Sequence, residues 1–189
     1  MTDEEKLVIG AKELDQEAWS QIYDRDYRKI YSFIYRRVGN TSLAEDLTAG
    51  VFLKALEGIA KYKYQGFTLT AWFLTIGRNL VADHFRRAGR APEQSLNLDV
   101  TSGKPTPEQL AEGAWEREVM FRALKNLSEE QRQVVTLRFI DGLTTAEVGH
   151  LMNRKEGAVR ALQHRAIASL RKIMTKETQD EEELRYCVG

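Results

Sequence analysis

Apolar residues recur along this chain at spacings of three and four, the helical period, in nearly every segment. The clearest stretch runs from 143 to 173. Val148, Leu151 and Met152 form the apolar side of one helix. Asn153 ends it, because asparagine tolerates the left-handed conformation that closes a helix. A second helix opens near Lys155, where Val159, Leu162, Ala166, Leu170 and Ile173 step by three and four into one buried stripe. Together the two predict a helix-turn-helix.

The same pattern predicts four helices upstream. A short one spans Asp3 to Leu14. Asp15 caps the next, which runs to Val38 and is closed by Gly39 and Asn40. Its Trp19, Ile22, Tyr23, Tyr27, Ile30, Tyr31, Ile34 and Val38 read as one broad buried stripe, with the tyrosines assigned to the core rather than to nucleic acid. A third helix covers Ser42 to Ile59, capped by Thr41 or Ser42. Leu43, Leu47, Val51, Phe52, Ala55 and Leu56 face inward, and Glu45, Asp46 and Lys54 stay outside. A fourth covers Thr70 to Arg87 with Thr70 as its cap. Its Trp72, Phe73, Ile76 and Leu80 pack, and Asn79, Asp83 and Arg86 share an outer stripe.

All the prolines (Pro92, Pro105 and Pro107) fall within 91–114, which marks that stretch as a linker. Thr106 and Pro107 have the chemistry to open a helix running to Asn126. Ser128 and Gln131 have the form of a capping box for a helix ending at Ile140, with Asp141 and Gly142 after it. The predicted fold is therefore all-α, with two small helical domains (1–90 and 115–175) joined by a flexible linker (91–114), the C-terminal one containing the helix-turn-helix. Residues 176–189 form an acidic tail, expected to be frayed in part.

Composition narrows the function. Among 189 residues 42% are hydrophobic and 30% charged, as in soluble globular proteins. No apolar run approaches the roughly 18 residues of a membrane span, and an acidic start argues against a signal peptide. A lone cysteine, Cys187, cannot form an internal disulfide, which suits a reducing cytoplasm. His84, His150 and His164 lie far apart and no Cys/His cluster suggests a metal. There is no phosphate-cradling glycine loop and no pairing of nucleophile with base. Neither a cofactor nor an enzymatic activity is expected.

Net charge is zero, so local charge is informative. Arg154, Lys155, Arg160, Arg165, Arg171 and Lys172 stand against a single Glu156 in the second helix of the helix-turn-helix. The face opposite its buried stripe carries Gly157, Arg160, Ala161, His164, Ala168 and Arg171, small residues alternating with basic ones. Such a helix can sink into the DNA major groove and reach bases or phosphates. An ordinary helical hairpin with a solvated basic face is the other reading. A second basic region runs from Arg78 to Arg90, beside the segment 61–70 with Lys61, Lys63, Tyr62, Tyr64 and Phe67. Lysines interleaved with rings suit a single strand, lysine meeting phosphate and a ring stacking on a base. A loop whose Phe67 simply plugs the core is an equal alternative.

Four segments in this order resemble one family, the extracytoplasmic-function (ECF) sigma factors of bacterial RNA polymerase. DQEAWSQIYDRDYRKIYSFIYRRVGN (15–40) resembles the first helix of the promoter domain, and AEDLTAGVFLKAL (44–56) the polymerase-binding helix. AWFLTIGRNLVADHFRR (71–87) resembles the helix that opens and reads the −10 element. LSEEQRQVVTLRFIDGLTTAEVGHLMNRKEGAVRALQHRAIASLR (127–171) resembles the −35-reading domain. Many relatives have Gln-Glu where this chain has Ala49 and Gly50, a serine cap where it has Lys155, and Ser-Arg where it has Ala161 and Leu162.

The resemblance implies a sigma factor that binds core RNA polymerase and directs promoter-specific initiation. On −35 duplex the implied contacts are Arg154, Lys155, Arg160, His164 and Arg165. On the melted −10 strand they are the base-capturing loop with Lys61, Lys63, Tyr64 and Phe67, then Asn79, with Arg78, Arg86 and Arg87 on the backbone. Glu45, Asp46 and Phe52 are the implied polymerase contacts. The implied partners are core polymerase, promoter DNA and an optional anti-sigma factor, with no membrane span. The alternative is a polymerase-independent helix-turn-helix regulator with an N-terminal sensing or dimerisation domain. Such a domain has no need of the second basic-aromatic site at 61–90.

Overall fold

The computed structural model describes residues 2–89, 120 and 122–187, with side chains through Thr175. Every regular element among the described residues is helical, as the apolar spacing predicts. The chain divides into two compact units, Met1–Ser102 and Gly103–Gly189. The expected linker 91–114 and the expected helix start at Thr106 and Pro107 lie outside the described residues.

The N-terminal unit contains α1 (Asp3–Lys12), α2 (Gln16–Val38), α3 (Thr41–Gly58), a 3-10 turn (Ile59–Lys61) and α4 (Leu69–Arg87). Helices α2, α3 and α4 pack on one another in pairs and α1 lies on α2. Their core is Ile22, Ile30, Phe33 and Ile34 of α2, Ala44, Val51 and Ala55 of α3, and Phe73, Leu74 and Val81 of α4. Local chemistry sets the ends. The Asp15 carboxylate accepts from Ala18 N at 2.9 Å, and Gly39 (φ 64°) closes α2 in the left-handed conformation.

Several elements depart from expectation. Helix α1 ends at Lys12, and Leu14 sits beyond it at φ 59°, 62% exposed. There Leu14 N donates to Ala11 O and Asp15 N to Gly10 O, the bond pair of a left-handed helix stop. The chain turns here because Gly10 lets α2 close in; a Cβ on it would lie 2.7 Å from the Ala18 Cβ. Asn40, not Thr41 or Ser42, caps α3 by accepting from Leu43 N at 2.9 Å. Thr68, not Thr70, caps α4. Thr70 is buried instead, donating to Asp26 Oδ1 at 2.7 Å. Asp26 is fully buried beside Arg25, whose guanidinium forks across both of its oxygens and also pairs with Glu4. Burial would lower the Arg25 pKa, but the hydrogen bonds and charges of Asp26 and Glu4 outweigh it and raise it.

The tyrosines of α2 are not in the core. Tyr23, Tyr27, Tyr31 and Tyr35 form a ladder along one edge, with successive ring centroids 5.0, 6.2 and 5.9 Å apart. Tyr23 is 47% exposed and the others are half-buried. Each stands one residue, about 100° of rotation, past the line of Ile22, Asp26 and Ile30 that faces inward. The inner side of α3 is likewise narrower than expected. Ala44, Thr48, Val51 and Ala55 are buried, Leu43, Leu47 and Phe52 are half-buried, and Leu56 is 45% exposed.

In the C-terminal unit a helical turn at 122–125 precedes α5 (Glu129–Val135), a π-helical turn (Thr136–Ile140), α6 (Thr145–Met152) and α7 (Glu156–Cys187). Ser128 and Gln131 form the expected capping box. Past α5 the helix widens: Asp141 N reaches Thr136 O at 3.0 Å, and Gly142 at φ 72° turns the chain. Helix α7 packs on α5 and α6, and Val134, Leu137, Leu143, Val148, Leu151, Val159, Leu162 and Ala166 make the core. Leu170 and Ile173, expected in the same stripe, are half-buried. Helix α7 also runs through Cys187, across the stretch expected to fray. No proline or glycine interrupts the sequence from Ala158 to Val188.

Candidate nucleic-acid interface

The helix-turn-helix is built by local rules. Thr144 caps α6 by accepting from Glu147 N, and the buried Glu147 carboxylate accepts back from Thr144 N at 2.8 Å. Asn153 sits at φ 53° and ψ 50°, the left-handed stop the sequence implies. Its N–H reaches His150 O at 3.3 Å, and Arg154 N reaches Gly149 O at 2.8 Å. These are the paired 5→2 and 6→1 bonds of a Schellman ending. Val159 and Leu162 then anchor α7, which leaves its other side outside.

That outer side carries Arg160, His164 and Arg165, all exposed, with exposed Gly157, Ala161 and Ala168 among them. A Cβ added to Gly157 would meet nothing within 4 Å. Arg154 and Lys155 stand exposed at the entry to α7, where unsatisfied helix N–H groups favour anions. Two acids, in pairings the sequence pattern did not indicate, hold two of these arginines. Arg154 pairs with Glu130 of α5, and Arg160 with Glu156 one turn earlier. Both pairs are solvent-exposed, so each is worth less than about 1 kcal/mol. A base or phosphate contact outweighs that, so the acids orient the arginines without locking them.

In the N-terminal unit the loop after the 3-10 turn is closed at its base. Tyr62 Oη donates to Phe67 O at 3.2 Å, and the Tyr62 ring lies 4.6 Å from Trp72 of α4. Gly66 at φ 81° makes the bend. Lys61, Lys63 and Tyr64 are exposed, and Phe67 is half-buried. Phe67 therefore neither plugs the core nor stands fully free. On α4, Asn79, Arg86 and Arg87 are exposed and Arg78 is half-buried. Asp83 pairs with Arg86 at 2.7 Å. Trp72, Asn79, Asp83 and Arg86 follow the helical period, so one face leads from the loop down the helix.

Glu45 and Asp46 are exposed on α3. Phe52 is half-buried, packed against Tyr23 (4.9 Å), Tyr27 (6.3 Å) and Phe73 (5.6 Å). Burial, then Tyr23, Glu45 and Tyr31, push the Tyr27 hydroxyl above the usual tyrosine range. Glu45, Phe52 and the tyrosine ladder thus share one surface, with Leu53 (59% exposed) and Leu56 beside them. Sequence reading had Leu56 and Tyr23 in the core; the available signal was that Ala44, Thr48, Val51 and Ala55 already complete an inner stripe at the helical period.

The sigma-70 region 2 family model matches residues 22–91, and the sigma-70 region 4 model matches residues 123–172. The chain is 36% identical over 176 residues to the ECF RNA polymerase sigma factor BldN of Streptomyces coelicolor, covering 92% of this chain and 67% of that protein. It is 31% identical to the ECF RNA polymerase sigma factor SigW of Bacillus subtilis, covering 88% of this chain and 94% of that one. Among solved structures, CnrH in complex with the cytosolic domain of CnrY shares the fold at a TM-score of 0.60 and 19% identity, over 92% of this chain and 97% of that one. RpoE of Bartonella quintana, in complex with the anti-sigma factor NepR, does so at 0.59 and 21%, over 83% and 96%. No helix among the described residues is long and apolar enough to cross a membrane. With both region models matched in order and ECF relatives above 30% identity along most of its length, the chain belongs to the ECF sigma factors of RNA polymerase.

Proposed function

We infer that this chain binds core RNA polymerase and directs promoter-specific transcription initiation, residues 115–175 reading −35 duplex and residues 1–90 reading the melted −10 strand. The observation that carries this is the presence, in one chain, of an exposed basic recognition face and a separate basic-aromatic loop and helix. In this reading Arg160, His164 and Arg165 enter the major groove while Arg154 and Lys155 meet phosphate. Lys61, Lys63, Tyr64 and Phe67 take the unstacked −10 base, Asn79 contacts the strand, and Arg78, Arg86 and Arg87 hold its backbone. Glu45, Asp46 and Phe52 meet polymerase, with exposed Tyr23, Leu53 and Leu56 enlarging that surface. Residues 91–114 link the two readers, and 176–189 are the tail. The chain acts by binding alone, without a cofactor or a catalytic step, in the cytoplasm where polymerase works. The anti-sigma factor in the NepR complex makes a regulator of that type a partner to test here.

Run-off transcription with bacterial core polymerase, on fragmented DNA from the source organism, tests the reading. New discrete starts that depend on the protein are expected, and their upstream sequences define both elements. Absence of new starts together with absence of core binding would overturn it and favour a polymerase-independent regulator.

A further inference from the structure

Helix α1 touches both ends of the −10 loop. It packs on the 3-10 turn Ile59–Lys61, where the loop begins. At the far end its Glu4 carboxylate accepts a hydrogen bond from Leu69 N at 2.5 Å, a reach of 65 residues along the chain. Leu69 is the first residue of α4. The same carboxylate holds Arg25 at 2.7 Å; Arg25 holds Asp26, and Asp26 accepts from Thr70 Oγ1. Two successive residues in the first turn of α4 are therefore fixed by one chain of acid, arginine and acid. The Glu4 side chain is only 15% exposed, so this contact is shielded from competing water. Residues 63–66 remain outside between the two held ends.

We propose that α1, through Glu4, positions the 61–68 loop for capture of the −10 base. The proposal rests on the −10 role given to that loop above. A loop that must order itself on binding loses affinity with each residue it fixes, so a loop held at both ends binds more tightly at no cost in new contacts. Glu4 is a positioning residue and touches no DNA. Helix α1 precedes residue 22, where the region 2 match begins.

The test uses holoenzyme, assembled from core polymerase and the full chain. The probe is a single-stranded non-template oligonucleotide with the −10 sequence mapped by run-off transcription. Glu4→Ala is expected to weaken oligonucleotide binding about three- to tenfold, the scale of a lost capping contact. Glu4→Gln, which keeps an acceptor for Leu69 N–H, recovers part of that, and core affinity stays at the wild-type value. In the free protein Glu4→Ala speeds amide exchange at Leu69 and across 61–68 but not at Leu43, which Asn40 caps. Phe67→Ala separates the two ideas. If it weakens oligonucleotide binding while Glu4→Ala does not, the positioning role is overturned and the loop reading stands. If neither changes binding, both fall. Equal acceleration of exchange at Leu43 and Leu69, with loss of core affinity, would mean that Glu4 only stabilises the unit and would likewise overturn the proposal.

Discussion

Gly149 and Arg154 meet back to back at the turn of the helix-turn-helix. Arg154 N donates to Gly149 O at 2.8 Å, and a Cβ on residue 149 would lie 2.7 Å from Arg154 O. A carbonyl oxygen cannot move aside as a flexible side-chain end can, so only glycine fits. The turn that aims α7 depends on this approach.

Gly149→Ala is therefore expected to destabilise the C-terminal unit by about 2 kcal/mol, the cost of forcing packed backbone apart. Use of −35 should fall with it. Urea unfolding followed by probes in each unit checks this; the N-terminal unit should keep its midpoint. Asn153→Gly at the same turn should be nearly neutral, whereas Asn153→Ala costs about 1 kcal/mol because residue 153 is left-handed.

Gly50 and Leu14 each occupy a conformation better suited to the other. Gly50 lies inside α3, and a Cβ there would make ordinary contact with Leu80 at 3.5 Å. Leu14 is left-handed and mostly exposed, so its side chain contributes little burial. Gly50→Ala should stabilise the N-terminal unit by about 0.5–1 kcal/mol. Leu14→Gly should add about 0.5 kcal/mol, relief of left-handed strain being partly offset by unfolded-chain entropy. Midpoint shifts in urea at unchanged slope measure both, and a loss of stability in either variant would contradict the assignment.

Arg160 stands out on the recognition face, held by Glu156. Arg160→Ala should weaken −35-dependent initiation by about 1–3 kcal/mol if Arg160 reads a base. If Arg160 reads a base, Glu156→Ala should leave initiation strong but relax preference at that position, because the guanidinium is no longer oriented. Transcription from a set of single-base −35 variants separates these outcomes. An unchanged −35 preference in Arg160→Ala would remove Arg160 from the reading set.

Asp26 is fully buried and serves Arg25 and Thr70 together. Asp26→Asn keeps an acceptor for Thr70 but leaves Arg25 with Glu4 as its acidic partner in this network. Removing one partner of a fully buried pair costs about 3–5 kcal/mol. Arg25 is part-exposed and keeps Glu4, so the expected loss is nearer about 1–3 kcal/mol. Chemical denaturation of the variant measures it, and a loss below a few tenths would mean that water replaces the charge.

What the amino-acid order determined by itself is local. The helix starts at Asp15 and Ser128 and the stops at Gly39, Asn153 and Gly142 depend on groups within a few residues of one another, so composition and spacing suffice to read them. The basic face of α7 was legible for the same reason: once Val159, Leu162 and Ala166 face inward, helical geometry sends Arg160 and His164 outward. Tertiary structure decided the rest. Whether a tyrosine one step from a core isoleucine is buried depends on how closely the neighbouring helix approaches, and α3 approaches with alanines. Leu53 and Leu56 of α3 and the edge that carries the tyrosine ladder are thereby left at the surface. Thr70 serves Asp26 rather than a helix end, and Glu4 reaches Leu69, because packing brings together residues 44 and 65 positions apart. Periodicity carries no information about such pairs; they exist only once α1, α2 and α4 have closed on one another.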